Sequence, residues 1–303
     1  MTHPLIVDIK RHSLEDGPGI RSVVFFKGCP LHCVFCQNPE TQNPAHEIAF
    51  RQRVCIDCRL CTAACPQQAL ADGPRALDRK KCQICGACTR VCPSGALALI
   101  GQPMTLEEIV EVLLRDQAYY RHSGGGVTLS GGECTLFPDF AGTLLSRLRT
   151  AGISTAIETC GEYASAAFVQ WILPNVDLIL FDLKLADSDA HQAATGRGNE
   201  RIWSNLKNLL AACPERVHVR IPLIPGITDG RKNLTALADR VAQLGGRHLT
   251  LLPYNPLGAI MAKSLGRAYP ENLPPSFQDA ERLRQTITWF NAEVARTLSA
   301  IPS

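Results

Sequence analysis

Cysteine sets the chemistry of this sequence. Of 14 cysteines, 11 fall between Cys29 and Cys92 in three tight groups. Such clustering points to metal, and a reducing compartment disfavours a disulfide framework. The first group reads G-C-P-L-H-C-V-F-C-Q-N from Gly28 to Asn38, a C-x3-C-x2-C spacing. Three thiolates in one loop cannot complete a four-ligand structural zinc site without a distant fourth ligand such as His32. They suit a four-iron cluster in which Cys29, Cys33 and Cys36 hold three irons and the fourth stays open as a coordination site for a substrate. Cys134, Cys160 and Cys213 are scattered singly and read as packing residues, since free cysteine behaves as a small buried hydrophobe.

The other two groups form a repeat. Cys55, Cys58, Cys61 and Cys65-Pro66 read C-x2-C-x2-C-x3-C-P, and Cys82, Cys85, Cys88 and Cys92-Pro93 repeat it 27 residues later. Each run ends in a similar tail, Ala69-Leu70 and Ala96-Leu97. This is the two-cluster bacterial ferredoxin pattern, in which the fourth cysteine of each run ligates the other cluster. One four-iron cluster therefore falls to Cys55, Cys58, Cys61 and Cys92, and the other to Cys82, Cys85, Cys88 and Cys65. A segment of about fifty residues builds little apolar core, so the clusters must hold it together. Its functional reading is electron delivery; the alternative is a structural brace or a partner surface.

The elements that position these loops follow from hydrophobic pattern. Short apolar runs at Arg21–Phe26, Val127–Ser130, Ile153–Glu158, Val176–Leu183, Val217–Leu223 and His248–Leu252 predict strands buried on both faces. Helix-period stretches lie between them at Leu106–Gln117, Phe140–Ala151, Ala164–Leu173, Ile202–Ala212 and Leu234–Leu244, with a last helix from Phe277 to Leu298. Thr105 to Glu108 reads T-L-E-E, a capping box. Six β-then-α units imply a parallel sheet, either an open barrel or a doubly wound sheet. Residues 1–48 and 99–303 form this unit, and residues 49–98 are inserted in it. The 303 residues carry 46% hydrophobic and 19% charged side chains, as a globular protein with a real core does. A net charge of +3 argues for neither nucleic acid nor a membrane surface. Met1 to Arg11 alternates polar and apolar residues without a signal-peptide core, so the expected compartment is the cytoplasm.

With an aromatic residue, Phe35, just before its last cysteine, C-x3-C-x2-C resembles the signature of the radical S-adenosylmethionine (SAM) superfamily. More narrowly, D-G-P-G-I-R (Asp16–Arg21), then F-F-K-G-C and C-Q-N-P-E (Cys36–Glu40), resemble the N-terminal signature of the activating enzymes of glycyl radical enzymes. The resemblance implies an α/β fold, a partial (β/α)6 TIM-like barrel with an inserted ferredoxin-like α+β domain. It implies that the methionine part of SAM chelates the open iron, and that Phe35, Cys36 and Gln37 lie against it. S-G-G-E (Ser130–Glu133) matches the motif whose backbone and glutamate contact the SAM amine, by way of Gly131, Gly132 and Glu133. E-T-C-G (Glu158–Gly161) supplies Glu158 and Thr159, in some relatives through a monovalent cation. F-D-L-K (Phe181–Lys184) supplies Asp182, Leu183 and Lys184, a point charge suited to a carboxylate, or else a salt bridge of the barrel mouth. Arg220 follows in H-V-R-I-P. Many relatives carry histidine where this chain has Asn255, which hydrogen-bonds but does not titrate.

The implied activity is reductive cleavage of SAM to methionine and a 5′-deoxyadenosyl radical, which takes a hydrogen atom from a backbone glycine of a partner enzyme. The implied cofactors are three four-iron clusters and SAM, and the implied reductant is a flavodoxin or ferredoxin. Asp16, Gly17, Pro18 and Gly19 are the candidate contact for the partner's glycine loop. The alternatives are a radical SAM enzyme acting on a small molecule or a modified peptide, or an iron–sulfur electron carrier. D-G-P-G-I-R argues against the first, and converging SAM motifs around an open iron argue against the second.

Overall fold

The computed structural model describes residues 3–299. Its strands are β1 (Leu5–Ser13), β2 (Arg21–Phe26), β3 (Glu47–Phe50), β4 (Leu97–Ile100), β5 (Gln102–Pro103), β6 (Gly126–Gly131), β7 (Ser154–Thr159), β8 (Leu178–Asp182), β9 (Val217–Pro222) and β10 (Leu249–Leu252). Eight of them make one sheet in the order β10-β9-β8-β7-β6-β2-β1-β5. From β2 to β10 the six neighbours pair in parallel, in the order in which the chain makes them. A doubly wound sheet reverses direction at a switch point; this sheet never does. The topology therefore decides for the open barrel.

The six parallel strands fall where apolar runs predict them, because side chains on both faces are covered: β2 and β6 bury five of six residues each. The crossover helix Leu106–Leu114 starts on the expected capping box, with Thr105 N donating to Glu108 Oε2 at 2.7 Å and Glu108 N to Thr105 Oγ1 at 3.2 Å. The stretch at 164–173 is not one α-helix. It is a turn of α-helix, a π-helical Phe168–Ile172 and a 3-10 turn Leu173–Asn175, where Pro174 cannot extend the hydrogen-bond ladder. The last helix, Ala280–Ser299, begins after Phe277, which stands exposed, and packs Phe290 onto the core.

The alternating N-terminus is itself a strand: β1 pairs antiparallel with β2 and with β5, covering an edge of the sheet. The insert hangs from a second, two-stranded sheet in which Glu47 faces Ile100 and Phe50 faces Leu97. The dividing lines drawn from composition, at 49 and 98, run through this stem. Within the insert the repeat reaches the backbone. Asp57 and Ile84 have φ of 53° and 56°, Arg59 and Gly86 58° and 70°, Gln68 and Gly95 51° and 64°. Each pair is 27 positions apart, so both cysteine loops wind left-handed before and after their second cysteine.

At the N-terminal end of the barrel, Arg21 is fully buried. Its guanidinium donates to Thr128 Oγ1 and Val127 O at 2.7 Å and to Ser154 O at 3.2 Å, bridging β2, β6 and β7. Burial lowers its pKa to about 10, still charged at neutral pH. Arg21→Met should cost about 3 kcal/mol of stability, because it orphans buried acceptors on two neighbouring strands, β6 and β7. Thermal unfolding checks this; an unchanged midpoint would refute it.

Candidate metal centre at the barrel mouth

The cysteine loop leaves the C-terminal end of β2 and is stitched over the barrel mouth by backbone bonds. Gly28 N donates to Thr41 O at 2.6 Å, Cys29 N to Gln42 O at 3.0 Å, His32 N to Thr195 O at 2.7 Å and Val34 N to Ala194 O at 3.0 Å. Phe35 is buried among Leu185, Ala194, Ile224, Tyr254 and Leu273, which follow β8, β9 and β10. The loop thus spans the mouth with its three thiols inside one another's electrostatic reach: burial, with neighbouring thiols, pushes Cys33 up to about 11 and Cys36 higher still. Cys36 O and Gln37 Cα lie against Gly258, where a Cβ would come within 2.3 Å of that carbonyl. Gln37 and His32 are exposed. Among the described residues no three His, Cys, Asp or Glu side chains converge to hold one metal ion. Ligands that each take a different iron of a cluster need not converge so closely.

Beneath the loop, Gly132 N donates to Phe26 O at 2.9 Å and Glu133 N to Gly28 O at 2.8 Å. A Cβ on Gly132 would meet Gly28 O at 2.1 Å. The glycine pair thus admits the cysteine strand's own backbone, where the sequence suggested room for a ligand. Glu133 is fully buried, and burial raises its pKa. Its carboxylate accepts from Thr135 Oγ1 and from Cys160 N, both at 2.7 Å, tying β6 to the turn after β7. Thr159 Oγ1 accepts from Gly161 N at 3.0 Å in that turn, and Leu183 is buried with its N–H on Arg220 O.

Arg220 organises the carboxylates. It meets Glu158 Oε1 at 2.5 Å and Asp182 Oδ1 at 2.8 Å, and Ser130 Oγ donates to Glu158 Oε2. Burial works against its charge, but Asp182 and Glu158 together hold its pKa above the ordinary value. So Asp182 has its partner in Arg220, and the expected alternative of an Asp182–Lys184 bridge is not formed. Lys184 is half-buried without an ion pair among the described residues. Against the cost of burial, Asp182 and the sulfurs of Cys33, Cys160 and Cys29 keep it protonated. Asn255 Oδ1 accepts from Leu257 N at 3.0 Å, which uses one of its oxygen's two lone pairs and leaves its amide N–H groups to donate.

Three features escaped the sequence. Cys160, read as packing, is buried beside Cys29, and the interaction of the two thiols lowers the Cys29 pKa and raises its own. Lys27 is fully buried and donates to Glu40 O and Glu47 Oε2 at 2.7 Å, while Arg267 bonds Pro39 O and Glu47, so one charged network braces the loop. A lysine between apolar strand and cysteine was the available signal. The third is the place of the candidate partner contact. Asp16–Gly19 precedes β2, and its Gly19 packs on Gly125 at the opposite end of the strand from the cysteines. Asp16 O accepts from Thr128 Oγ1 at 2.7 Å. A partner segment touching both would have to run the length of β2, roughly 20 Å at the rise of a strand.

In the insert, Cys55, Cys58, Cys61 and Cys92 line one pocket with Ile56, Arg59 and Leu97. Cys88, raised to about 11 by burial, faces Cys82, Cys65 and Cys85. These are the two crossed sets that the repeat predicts. The donors are soft thiols, the left-handed loops wrap them, and the residues fit two clusters.

A free ammonium above paired carboxylates suits a ligand carboxylate. On the expectation that Lys184 takes the SAM carboxylate, Lys184→Gln should weaken SAM binding at least tenfold, about 1.4 kcal/mol, with iron content unchanged; equilibrium dialysis measures it, and equal affinity would refute that expectation.

The radical SAM superfamily model matches residues 79–238 and the 4Fe-4S dicluster domain model residues 54–96. The first match covers more than half of the chain but begins after the Cys29–Cys36 loop. The chain is 39% identical over 308 residues to the choline trimethylamine-lyase activating enzyme of Oleidesulfovibrio alaskensis, covering 96% of this chain and 97% of that one. It is 42% identical to the benzylsuccinate synthase activating enzyme of Thauera aromatica, over 88% of this chain and 83% of that one. Among solved structures, Streptococcus suis SuiB bound to precursor peptide SuiA superposes with a TM-score of 0.50 at 14% identity, over 64% of this chain and 40% of that one, a likeness of fold.

Proposed function

The chain belongs to the activating enzymes of glycyl radical enzymes in the radical SAM superfamily, and on that premise we propose how its own residues carry the reaction. Cys29, Cys33 and Cys36 hold a four-iron cluster with one open iron, and each crossed set in the insert holds another. When bound, the reduced cluster and SAM supply a 5′-deoxyadenosyl radical that takes a hydrogen atom from a backbone glycine of the partner. Lys184 is placed to take the SAM carboxylate. Arg220 fixes Glu158 and Asp182 so that their remaining lone pairs face the mouth as acceptors for the amine, the sulfonium or a monovalent cation. Gly131 and Gly132 let β6 close on the cysteine strand, and Glu133 clamps that contact to the turn carrying Thr159 and Cys160. Phe35 and Leu183 keep water from the loop's underside, while Gln37 and Asn255 offer polar groups at its rim. No described helix is long and apolar enough to cross a membrane. The expected setting is the cytoplasm, where a flavodoxin or ferredoxin supplies the electron.

The observation that carries this reading is the pairing at the mouth. Glu158 and Asp182 are paired with Arg220, and Lys184, without an ion pair among the described residues, lies within electrostatic reach of Cys29 and Cys33 of the loop and of Cys160 after β7. The test is to load the protein anaerobically with iron and sulfide, reduce it with dithionite, and add SAM with each of a panel of glycyl radical enzymes. Deoxyadenosine should appear together with the doublet of a glycyl radical in the electron paramagnetic resonance spectrum of one partner. Deoxyadenosine without a radical on any of them would refute the partner reading.

A further inference from the structure

The insert is polarised. Its residues 49–98 hold 8 Lys and Arg against 3 Asp and Glu, a net +5, while the whole chain carries +3. The remainder, with 23 basic and 25 acidic residues, is therefore at −2. These counts leave out the clusters: each four-iron cluster with its four thiolates adds about −2, so the loaded insert is near +1 and its positive charge is concentrated in the exposed arginines and lysines.

The two cysteine sets also differ in place. Arg79 donates to Ile48 O of the stem at 3.0 Å and to Ser264 O of the barrel helix Leu257–Ser264 at 3.3 Å, and Cys82 lies within its electrostatic reach. Gly86 approaches Leu99, next to Ile100, and Ile100 packs on Leu265 and Met261 of the barrel. The Cys65, Cys82, Cys85, Cys88 set is thus the inner one. The pocket of the Cys55, Cys58, Cys61, Cys92 set is lined by Leu97, at the far end of β4. Around it Val54 is 48%, Ile56 66% and Leu60 52% exposed, Cys58 is exposed, and Arg51, Arg53 and Arg59 stand in solvent beside them.

We propose that this outer face is the docking site of an acidic one-electron carrier protein, with Val54, Ile56 and Leu60 as its apolar centre and Arg51, Arg53 and Arg59 as its steering rim. The proposal rests on the reading of the insert as a two-cluster domain. It adds a direction, from the outer cysteine set to the inner one beside the barrel. In the step the carrier is oxidised by one electron and the insert reduced by one, with no bond made or broken. Apolar contact brings the centres close, and the complementary charge raises the rate of encounter in a way that salt abolishes. The rim suits an acidic carrier because like charge would repel a basic one.

The probe is oxidised flavodoxin, titrated into the iron-loaded protein under argon at low and high salt. The variants are Arg51→Glu with Arg53→Glu, and the charge-matched control Lys207→Glu with Lys232→Glu on exposed barrel helices. Binding to the insert variant should weaken at least tenfold at low salt, the control should match the parent, and the difference should shrink at high salt. Reduction by flavodoxin hydroquinone, followed by bleaching of the iron–sulfur absorbance, should slow in parallel, while reduction by dithionite should not. Equal binding by both variants, or loss in the control, overturns the proposal. So does a loss of binding to the glycyl radical enzyme in place of the carrier. Deoxyadenosine formed with dithionite reports the function separately, so its absence in the parent refutes that reading and leaves the docking result legible.

Discussion

A protein in which Cys29, Cys33 and Cys36 are all alanine is expected to make no 5′-deoxyadenosine above the reagent blank, while the parent makes it readily. The expectation is sharp because the thiols are not what holds the loop. Gly28, Cys29, His32 and Val34 are anchored through their backbone N–H groups, and Phe35 through its apolar neighbours. Alanine keeps all of these. The three half-buried thiols contribute little packing that a methyl group does not replace, so unfolding should shift by only about 1 kcal/mol. Iron should fall by about one third, with the insert's two sets still loaded. Chromatography for deoxyadenosine, an iron assay and a thermal scan on the same preparation check the three statements. Deoxyadenosine from the variant would move the site elsewhere. Loss of all the iron would show that the loop and the insert fold as one unit.

How far this was legible from sequence depends on whether the information is local. The runs RSVVFF and LILFD have to be buried on both faces wherever they sit, so their strands were readable. So were the cysteine sets, because a 27-residue repeat carries its own register. Strand order is not local, and the choice of barrel over doubly wound sheet waited for β2 to be seen beside β6. The same holds for partners. Nothing near Arg220 says that it bonds both Glu158 and Asp182, residues 62 and 38 positions away. Gly131 and Gly132 were read as room for a ligand, whereas the atoms that approach them belong to Phe26 and Gly28, residues far back in the chain. Asp16–Gly19 and the cysteine loop lie at opposite ends of β2, because a motif gives sequence distance and a strand turns that into separation. Cys160 carried no pattern at all; only the turn after β7, one strand removed from β2 across β6, brings it to Cys29.

Removing the insert's metal should unfold the insert and spare the barrel. Cys61→Ser with Cys88→Ser takes one ligand from each crossed set, and both serines occupy buried positions. Apart from those two cysteines, the buried cluster of the insert contains only Ile48, Leu70 and Leu97, with Cys65, Cys82 and Cys92 among the side chains packed around it. Two of those three aliphatic residues belong to the stem or adjoin its end. The folded segment between β3 and β4 therefore has too little apolar burial to offset its conformational entropy. Its backbone adds a further cost. Ile84, a β-branched residue, holds φ at 56°, a conformation that persists only where the surroundings impose it. Metal ligation by Cys82, Cys85 and Cys88 on either side is the constraint available to impose it. In the double variant iron should fall by about two thirds, and trypsin should cut at Arg53, Arg59, Arg75 and Lys80–Lys81, which the loaded parent protects. Cleavage should stop at the stem, because Glu47 is held by Lys27 and Arg267, and the barrel's unfolding midpoint should stay within a few degrees. An iron-free insert that still resists trypsin would mean that its few aliphatic side chains suffice. The crossed sets would then be passengers on the fold, where the φ angles at 57, 59, 84 and 86 say they are its core.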